Sequence, residues 1–270
     1  MICTKLFLSQ LKPLFTISVA TVSLISLQTP LLAQPISLGI NSPNKIQIHF
    51  IPAAKPTPPD NGTPSTNQGT GSRGGCPYKK ELPPLTNLTG SENLELTLNA
   101  YPTFWVYVPY TQKEVMSGEF SLQDGDNEVY STHFQLPTTP GIVSISLPPT
   151  LKPLEVGKTY NWYFNINCAP PQFSEPPDSI GGQVQRVVGS EELESELKTV
   201  KTPLERIAIY AKYHVWYDTL TELAKLRLTA PQDPTLKKVW RELLSDRNVG
   251  LAQVAQEPIV GTVKASSQSK

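Results

Sequence analysis

The feature that most constrains the fold is an alternation of apolar and polar side chains between Ser91 and Val188. It is clearest in TYNWYFNIN, where the apolar row is Tyr160, Trp162, Phe164 and Ile166 and asparagines lie opposite. In LELTL, Leu94, Leu96 and Leu98 share one face in the same way. A period of two predicts strands with one buried face. About seven short strands separated by turn residues favour an antiparallel β-sandwich of the immunoglobulin-like kind.

The period changes at Gly189, where the chain becomes helical. GSEELESELKTV predicts a short acidic helix, and the stretch TPLE is a start signal for a longer one. Thr202 can accept a backbone N–H of the first turn, Pro203 fits that turn, and Glu205 can reach back. Pro231 stops a helix, and Asp233-Pro234 starts another that ends near Asp246. The fold class is therefore α+β, with a small α-helical module after the sandwich.

The helical module partly resembles a single tetratricopeptide-type unit. The residues that carry this spacing are Tyr210, Trp216, Leu220, Leu223 and Pro231. Thr219 stands where the repeat has alanine, and a stable solenoid needs roughly three copies. The unit is expected to pack on the sandwich or to continue a partner's array, and Tyr210, Trp216, Leu220 and Leu223 form its candidate partner-helix face.

The first 33 residues have the layout of a secretory signal peptide. Lys5 and Lys12 precede the apolar run LFTISVATVSLISL, and Ala33 offers a small residue for cleavage. The alternative is an uncleaved membrane anchor, although the run is short against the ~20 residues that a spanning helix needs. We expect export to the periplasm or the medium, with no membrane span in the mature chain.

Composition divides the rest of the chain. Residues 34–75 are rich in Pro, Gly, Ser and Thr and predict a disordered linker, broken by the alternating run Ile46–Phe50 that could form one isolated strand. The predicted sandwich then spans 76–188, the helical module 189–250 and a tail 251–270. The 27 prolines are about twice the share expected from a usual frequency of roughly 5%.

Two cysteines remain after signal cleavage, Cys76 and Cys168. In an exported chain two thiols most often form a disulfide. A zinc site is a poorer interpretation because the paired C-x-x-C spacing is missing. We therefore predict a Cys76–Cys168 disulfide.

Charge and motifs argue against several function classes. The chain has 23 basic and 23 acidic residues, so no global field favours nucleic acid. It carries no zinc-protease, nucleophile-elbow, phosphate-loop or dinucleotide motif. The carboxylates from Asp124 to Glu128 are interpreted as a hairpin turn rather than a calcium loop. His214 and Asp218 could touch on one helix face, as a structural hydrogen bond. No catalytic residue, metal or cofactor is predicted.

The aromatic run AYPTFWVYVPY divides into two faces by alternation. Phe104, Val106, Val108 and Tyr110 belong to the sandwich core. Trp105 and Tyr107 point the other way, as a candidate binding or helix-packing face. Exposed, they would be a stacking platform for sugars or peptides. We favour the alternative that the chain's own helices cover them.

Several stretches together resemble one family. They are GGCP, LTLNAYPTFWVYVPY, PGIVSISLPP, PLEVGKTYNWYF and VWYDTLTELAKLR. Over about residues 74–260 the chain resembles the cyanobacterial domain of unknown function 928 family. The resemblance implies an exported protein of photosynthetic bacteria with a β-domain and a helical C-terminal part. It implies no activity and no site residues.

Three functions are compatible with this layout. The first is an exported, non-catalytic binding or structural module of the cell envelope, with another envelope protein or a glycan as its partner. The second is an envelope hydrolase or carbohydrate-active enzyme, whose carboxylates would meet only in the fold. The third is an assembly factor that completes a partner's repeat array, and it predicts an exposed apolar groove on the helices from Thr202 to Asp246.

Overall fold

The structure is a computed structural model that describes residues 48–52, 76–90, 94–168 and 176–265. The predicted signal peptide and most of the predicted linker lie outside these residues. The strands are β1 (Thr86–Asn87), β2 (Leu94–Thr97), β3 (Thr103–Val108), β4 (Ser117–Asp124), β5 (Asn127–Gln135), β6 (Gly141–Ser146), β7 (Thr159–Asn167), β8 (Asp178–Arg186), β9 (Ile259–Thr262) and β10 (Lys264–Ala265). The helices are α1 (Glu191–Thr199), α2 (Pro203–Lys212), α3 (Trp216–Thr229) and α4 (Pro234–Leu244).

The strands form two sheets, which confirms the α+β class. One sheet has the order β1-β3-β6-β9, and the other has the order β10-β5-β4-β7-β8-β2. The prediction of purely antiparallel sheets is wrong, since β2 pairs with β8 and β9 pairs with β6 in parallel. In both pairs the partners are far apart in the chain. No tight hairpin joins them, so nothing imposes the antiparallel direction that a two-residue turn requires.

The core between the two sheets follows the alternation in the sequence. Along β7 every second residue is buried, namely Tyr160, Trp162, Phe164 and Ile166. These side chains meet the inner faces of β3 and β4, where Phe104 lies 5.3 Å from Trp162 and 5.0 Å from Phe120 between ring centroids. Burial of such side chains contributes ~1.5–3 kcal/mol each, so this row sets the register of the larger sheet.

Helices α2 and α4 begin at the positions predicted from their capping residues. Thr202 Oγ1 accepts the backbone N–H of Glu205 at 3.2 Å, and Glu205 Oε2 accepts the backbone N–H of Thr202 at 2.9 Å. Pro203 occupies the first turn, where its missing N–H costs no hydrogen bond. Asp233 caps α4 by accepting the backbone N–H groups of Thr235 and Leu236. These contacts confirm both predicted helix starts.

The helices form a third layer on the outer face of the four-stranded sheet. Trp105, Tyr107 and Ile142 of that face share one buried cluster with apolar residues of α2, α3 and α4. The helical residues include Ile207, Trp216, Leu220, Leu223, Val239, Trp240 and Leu243. The order of layers is therefore six-stranded sheet, four-stranded sheet, helices.

Two segments outside the predicted domains also enter the fold. Ile48 and Phe50 lie within the predicted linker, yet both are buried against the helices. Within the predicted tail, β9 pairs with β6 and Val263 is buried. The linker is thus not disordered at these residues. The alternating run Ile46–Phe50 was their sequence signal, but the described residues 48–52 form no strand.

Candidate functional site

A cleft lies beside the disulfide. Cys76 and Cys168 are joined, with an Sγ–Sγ distance of 2.02 Å, as the sequence predicted. The bridge holds the start of segment 76–85 against the end of β7, where Cys76 Sγ also contacts the carbonyl oxygen of Ile166 at 3.8 Å. Segment 76–85 forms one wall of the cleft, and Pro109, which follows β3, contributes to another. The cavity volume is about 190 Å³.

The walls of the cleft are mainly apolar. They include Leu82, Pro83, Pro84, Leu85 and Pro109. Proline fixes its own backbone angle and carries no N–H group, so these walls are stiff and offer few backbone donors. Tyr78 lies at the cleft with 81% of its surface exposed, which leaves its ring free to contact a ligand.

A buried carboxyl group completes the cleft. Asp178, the first residue of β8, is buried, and its Oδ2 accepts a hydrogen bond from Tyr110 Oη at 2.8 Å. Burial raises the pKa of Asp178, while the hydrogen bond from Tyr110 partly offsets that rise. Burial also raises the pKa of Tyr110, with the hydrogen bond to Asp178 and the charges of Asp178 and Glu114 acting in the same direction.

An ion pair borders the same cleft. Lys79, a lining residue, forms an ion pair with Glu114. Glu114 also accepts hydrogen bonds from the backbone N–H and the hydroxyl group of Thr111, at 2.9 Å each. The hydrogen bond from Lys79 is the main cause of the lowered pKa of Glu114. Because the Lys79 charge is matched by Glu114, the cleft does not attract anions through an unpaired cation.

The chemistry of the cleft favours binding. Apolar walls and tyrosine rings provide contact area, and Asp178 can accept a hydrogen bond from a hydroxyl or amino group. A volume of about 190 Å³ lies below the ~300 Å³ at which small-molecule sites usually begin. The cleft therefore admits one ring-sized group rather than a whole cofactor.

The predicted face of Trp105 and Tyr107 lies beneath the helices. Both side chains are buried, and Trp105 Nε1 donates a hydrogen bond to Thr221 Oγ1 of α3 at 3.0 Å. Tyr107 is fully buried, and burial together with the charge of Glu257 raises its pKa. The two residues attach the helical layer to β3, and neither presents a stacking surface to solvent.

The predicted partner-helix face is also internal. Trp216, Leu220 and Leu223 are buried in the cluster under the helices, and Tyr210 is half-buried. Trp216 Nε1 donates to the carbonyl oxygen of Leu88 at 2.7 Å, which joins α3 to the chain beside β1. The tetratricopeptide-type resemblance is not confirmed, and of the two arrangements expected for the helix pair the structure shows packing on the chain's own sheet.

A second, smaller cavity contains two carboxylates of α3. Asp218 and Glu222 line it together with Thr97 and Thr221. Asp218 Oδ2 already accepts hydrogen bonds from Thr97 Oγ1 at 2.8 Å and from the backbone N–H of Leu98 at 3.0 Å. Burial raises the pKa of Asp218 despite these two hydrogen bonds. The cavity volume of about 20 Å³ holds roughly one water molecule and excludes a sugar ring.

Two other sequence expectations concern local chemistry. The carboxylates from Asp124 to Glu128 form the β4–β5 hairpin turn, with Gly125 at φ 58° and Asp124 paired to Lys158. Within residues 48–52, 76–90, 94–168 and 176–265, no group of three or more His, Cys, Asp or Glu side chains could hold a metal ion. His214 does not contact Asp218, because it lies outside the helices and donates to the carbonyl oxygen of Ile51.

Sequence reasoning missed the cleft residues. Tyr110 was assigned to the core, and it is buried, but its hydroxyl reaches Asp178. One signal was the run Pro83-Pro84 soon after Cys76, which places a stiff segment next to the predicted disulfide. Asp178 carried no signal of its own, since acidic residues are common where a loop leads into a strand.

The fold and the cleft together define a class: a two-sheet β-domain with a helical outer layer and a disulfide-bordered cleft. The chain belongs to the family described as Domain of Unknown Function (DUF928), which it matches over residues 68–259. This match confirms the family resemblance found in the sequence. No curated protein matches the chain. In the part of the chain that the structure describes, no helix is long and apolar enough to cross a membrane.

Proposed function

We propose that this chain is an exported, non-catalytic binding module of the cell envelope that holds a glycan residue in the cleft beside the disulfide. The observation that carries the proposal is the cleft itself, in which tyrosine and proline surfaces surround the buried carboxyl of Asp178. A sugar ring offers both a face of C–H groups for such surfaces and hydroxyl donors for the carboxyl group.

Export is supported by one feature of the sequence and one of the structure. Residues 1–33 have the basic, apolar and small-residue order of a signal peptide. The Cys76–Cys168 disulfide fits an oxidising compartment outside the cytoplasm. The immunoglobulin-like interpretation of the two sheets belongs to the same proposal, since such sandwiches carry their binding loops at their ends.

Binding is favoured over hydrolysis by the number and the surroundings of the carboxylates. Among the described residues that line the cleft, Asp178 supplies the only carboxyl group, whereas glycoside hydrolysis uses a pair about 5–9.5 Å apart. The carboxylate pair of α3 lies in a cavity too small for a sugar. The alternative of a carboxylate-dependent envelope enzyme therefore has weaker support.

Binding to the insoluble polysaccharide fraction of the envelope tests the proposal. The mature chain is sedimented with that fraction, and the bound share is compared between wild type and Asp178→Asn. We expect the Asn variant to lose at least tenfold in affinity, because it replaces an anionic acceptor with a neutral one. Val188→Ala is the control, since Val188 is 74% exposed and does not line the cleft. Equal sedimentation of all three forms would reject the glycan site.

Export has its own test. N-terminal sequencing of the protein recovered from envelope or medium is expected to begin at Gln34, after cleavage at Ala33. Recovery of the chain with Met1 in the cytoplasmic fraction would reject export.

A further inference from the structure

The segment Ile48–Pro52 lies in a groove formed by the helical layer and the chain beside β1. Ile48 and Phe50 are buried, whereas the side chain of His49 is 70% exposed and Ile51 is 48% exposed. The Phe50 ring meets Trp216 edge-on, with 4.7 Å between centroids. The groove thus accepts alternate side chains of an extended peptide.

The groove also contacts the peptide backbone. The N–H of Ile51 donates to the carbonyl oxygen of Ala211, in the last turn of α2, at 3.3 Å. In the other direction, Asn248 Nδ2 donates to the carbonyl oxygen of Phe50 at 3.3 Å, and His214 Nδ1 donates to that of Ile51 at 2.6 Å. Backbone hydrogen bonds combined with pockets for alternate side chains are the general means by which proteins bind extended peptides.

His214 has an unusual backbone in this groove. Its φ is 64°, and it is the one non-glycine residue with positive φ among the described residues. A histidine in the left-handed region is uncommon and persists when its surroundings determine it. Here that conformation accompanies the hydrogen bond from the imidazole to Ile51, which points to a role in holding the segment.

The groove and its occupant belong to different parts of the chain. Leu88, Ala211, His214, Trp216 and Asn248 all lie inside the family match, which covers residues 68–259. The segment Ile48–Pro52 lies outside it. The groove is therefore part of the family domain, and the peptide that fills it comes from an additional segment.

We propose that this groove is a peptide-binding site, separate from the cleft, whose intermolecular ligand is the Ile48–Pro52 segment of a second copy of this chain. The only peptide whose fit the described residues show is this segment, and every copy carries it. The 23 residues from 53 to 75 join the segment to Cys76. A chain of that length spans at most about 80 Å, so the segment can reach the groove of a neighbouring molecule.

The segment of a second copy competes for the groove with the segment of the same chain. A tethered ligand acts at an effective concentration of roughly millimolar, so single molecules dominate in dilute solution. Linked molecules form when the local concentration of chains approaches that value.

A labelled peptide of residues 46–52 tests the groove, measured by fluorescence anisotropy on full mature chains. We expect saturable binding to the Phe50→Ala chain, whose own segment has lost its anchor, and at least tenfold weaker binding to wild type. The Val188→Ala chain, altered at an exposed side chain outside the segment and the groove, is the control and should behave as wild type. A labelled peptide with Phe50→Ala should not bind. A folded Phe50→Ala chain that ignores the wild-type peptide would overturn the proposal.

The unmodified chain supplies a second measurement. Mixtures of light and isotope-labelled wild-type chain are examined by native mass spectrometry at concentrations up to about millimolar. We expect mixed dimers that dissociate when excess peptide 46–52 is added. Monomers at every concentration, or dimers that the peptide leaves intact, would overturn the second copy as the occupant.

Discussion

The two ends of strand β8 are held in different ways. At its start, Asp178 lies beside a cleft and accepts a hydrogen bond from Tyr110, close to the disulfide of Cys76. At its other end, Arg186 pairs with Thr97, whose hydroxyl donates to Asp218 of α3. Burial raises the pKa of both aspartates. The first end of β8 therefore lies near a disulfide bond and an open cleft. The second end lies under α3, which side-chain hydrogen bonds hold in place.

This contrast indicates which aspartate is available to a ligand. Asp218 uses Oδ2 for both Thr97 and Leu98 in a cavity the size of one water molecule. Among the described residues, Asp178 accepts one side-chain hydrogen bond, from Tyr110, beside a cavity of about 190 Å³, against about 20 Å³ at Asp218. The raised pKa, which both residues share, does not distinguish them. The number of partners and the adjacent volume separate a structural carboxyl group from one that can bind.

The largest effect is expected from the disulfide end. Cys76 and Cys168 are 92 residues apart, so their bond closes a long loop in the unfolded chain. Reduction should lower the free energy of unfolding by about 4 kcal/mol. Urea unfolding of the mature chain with and without reductant measures this, and the Cys76→Ser/Cys168→Ser double variant should match the reduced form. A loss under about 1 kcal/mol would show that the ends of the loop are already held together without the bond.

The next largest effect is expected at the helix end. Asp218→Ala leaves the Thr97 hydroxyl and the Leu98 N–H without their acceptor, which should cost about 2–3 kcal/mol. Glu222→Ala is the matched control, because Glu222 lies one turn further along α3 and pairs with Lys225 at the surface. The control should change stability by less than about 0.5 kcal/mol. Equal losses in chemical denaturation would mean that Asp218 does not fix α3 to β2.

The sandwich was largely predictable because alternation directly reports a sheet with one buried face. Along β7 the predicted inward row is the buried row. Strand β2 shows the limit of this reasoning. Among the β2 side chains that the structure describes, Glu95 and Thr97 are buried while Leu96 is only half-buried, because Thr97 faces α3 and bonds Asp218. A partner 121 residues away in the chain leaves no trace in the local pattern.

The candidate site was less predictable for a related reason. The disulfide could be predicted, since two cysteines in an exported chain have few alternatives. Tyr110 follows β3 and Asp178 begins β8, 68 residues further along the chain, and only the packing of the two sheets brings them together. For the face of Trp105 and Tyr107, helix packing was favoured but a binding platform stayed open, because aromatic residues suit ligands and cores equally well. The position of the helices, rather than the residue types, distinguishes the two roles.

The pH dependence of the free energy of unfolding tests the raised pKa of Asp178. A carboxyl group with a raised native pKa binds its proton more tightly in the folded state, so stability falls as pH rises from the unfolded pKa, ~3.9, through the native value. Asp178→Asn should abolish this contribution, and at low pH its stability should lie within about 1 kcal/mol of wild type, because the amide oxygen can still accept from Tyr110. Urea unfolding between pH 3.5 and about 7 checks this. A wild-type stability that rises relative to the variant with pH would contradict the raised pKa.

The smallest effect on stability, and the most informative about binding, is expected from Tyr78→Ala. Tyr78 is 81% exposed at the cleft, so its removal should change the free energy of unfolding by less than about 0.5 kcal/mol. Loss of a stacking ring should still weaken glycan binding about fivefold or more, since such contacts contribute ~0.5–1.5 kcal/mol beyond the buried area. Met116→Ala, altered at another exposed apolar side chain that does not line this cleft, is the matched control for both measurements.

Stability and binding that both stay at the wild-type level would remove Tyr78 from the site and leave Asp178 with Tyr110 as the binding groups. A large loss of stability would instead show that Tyr78 supports segment 76–85, and the cleft wall would then depend on that ring as well as on the disulfide.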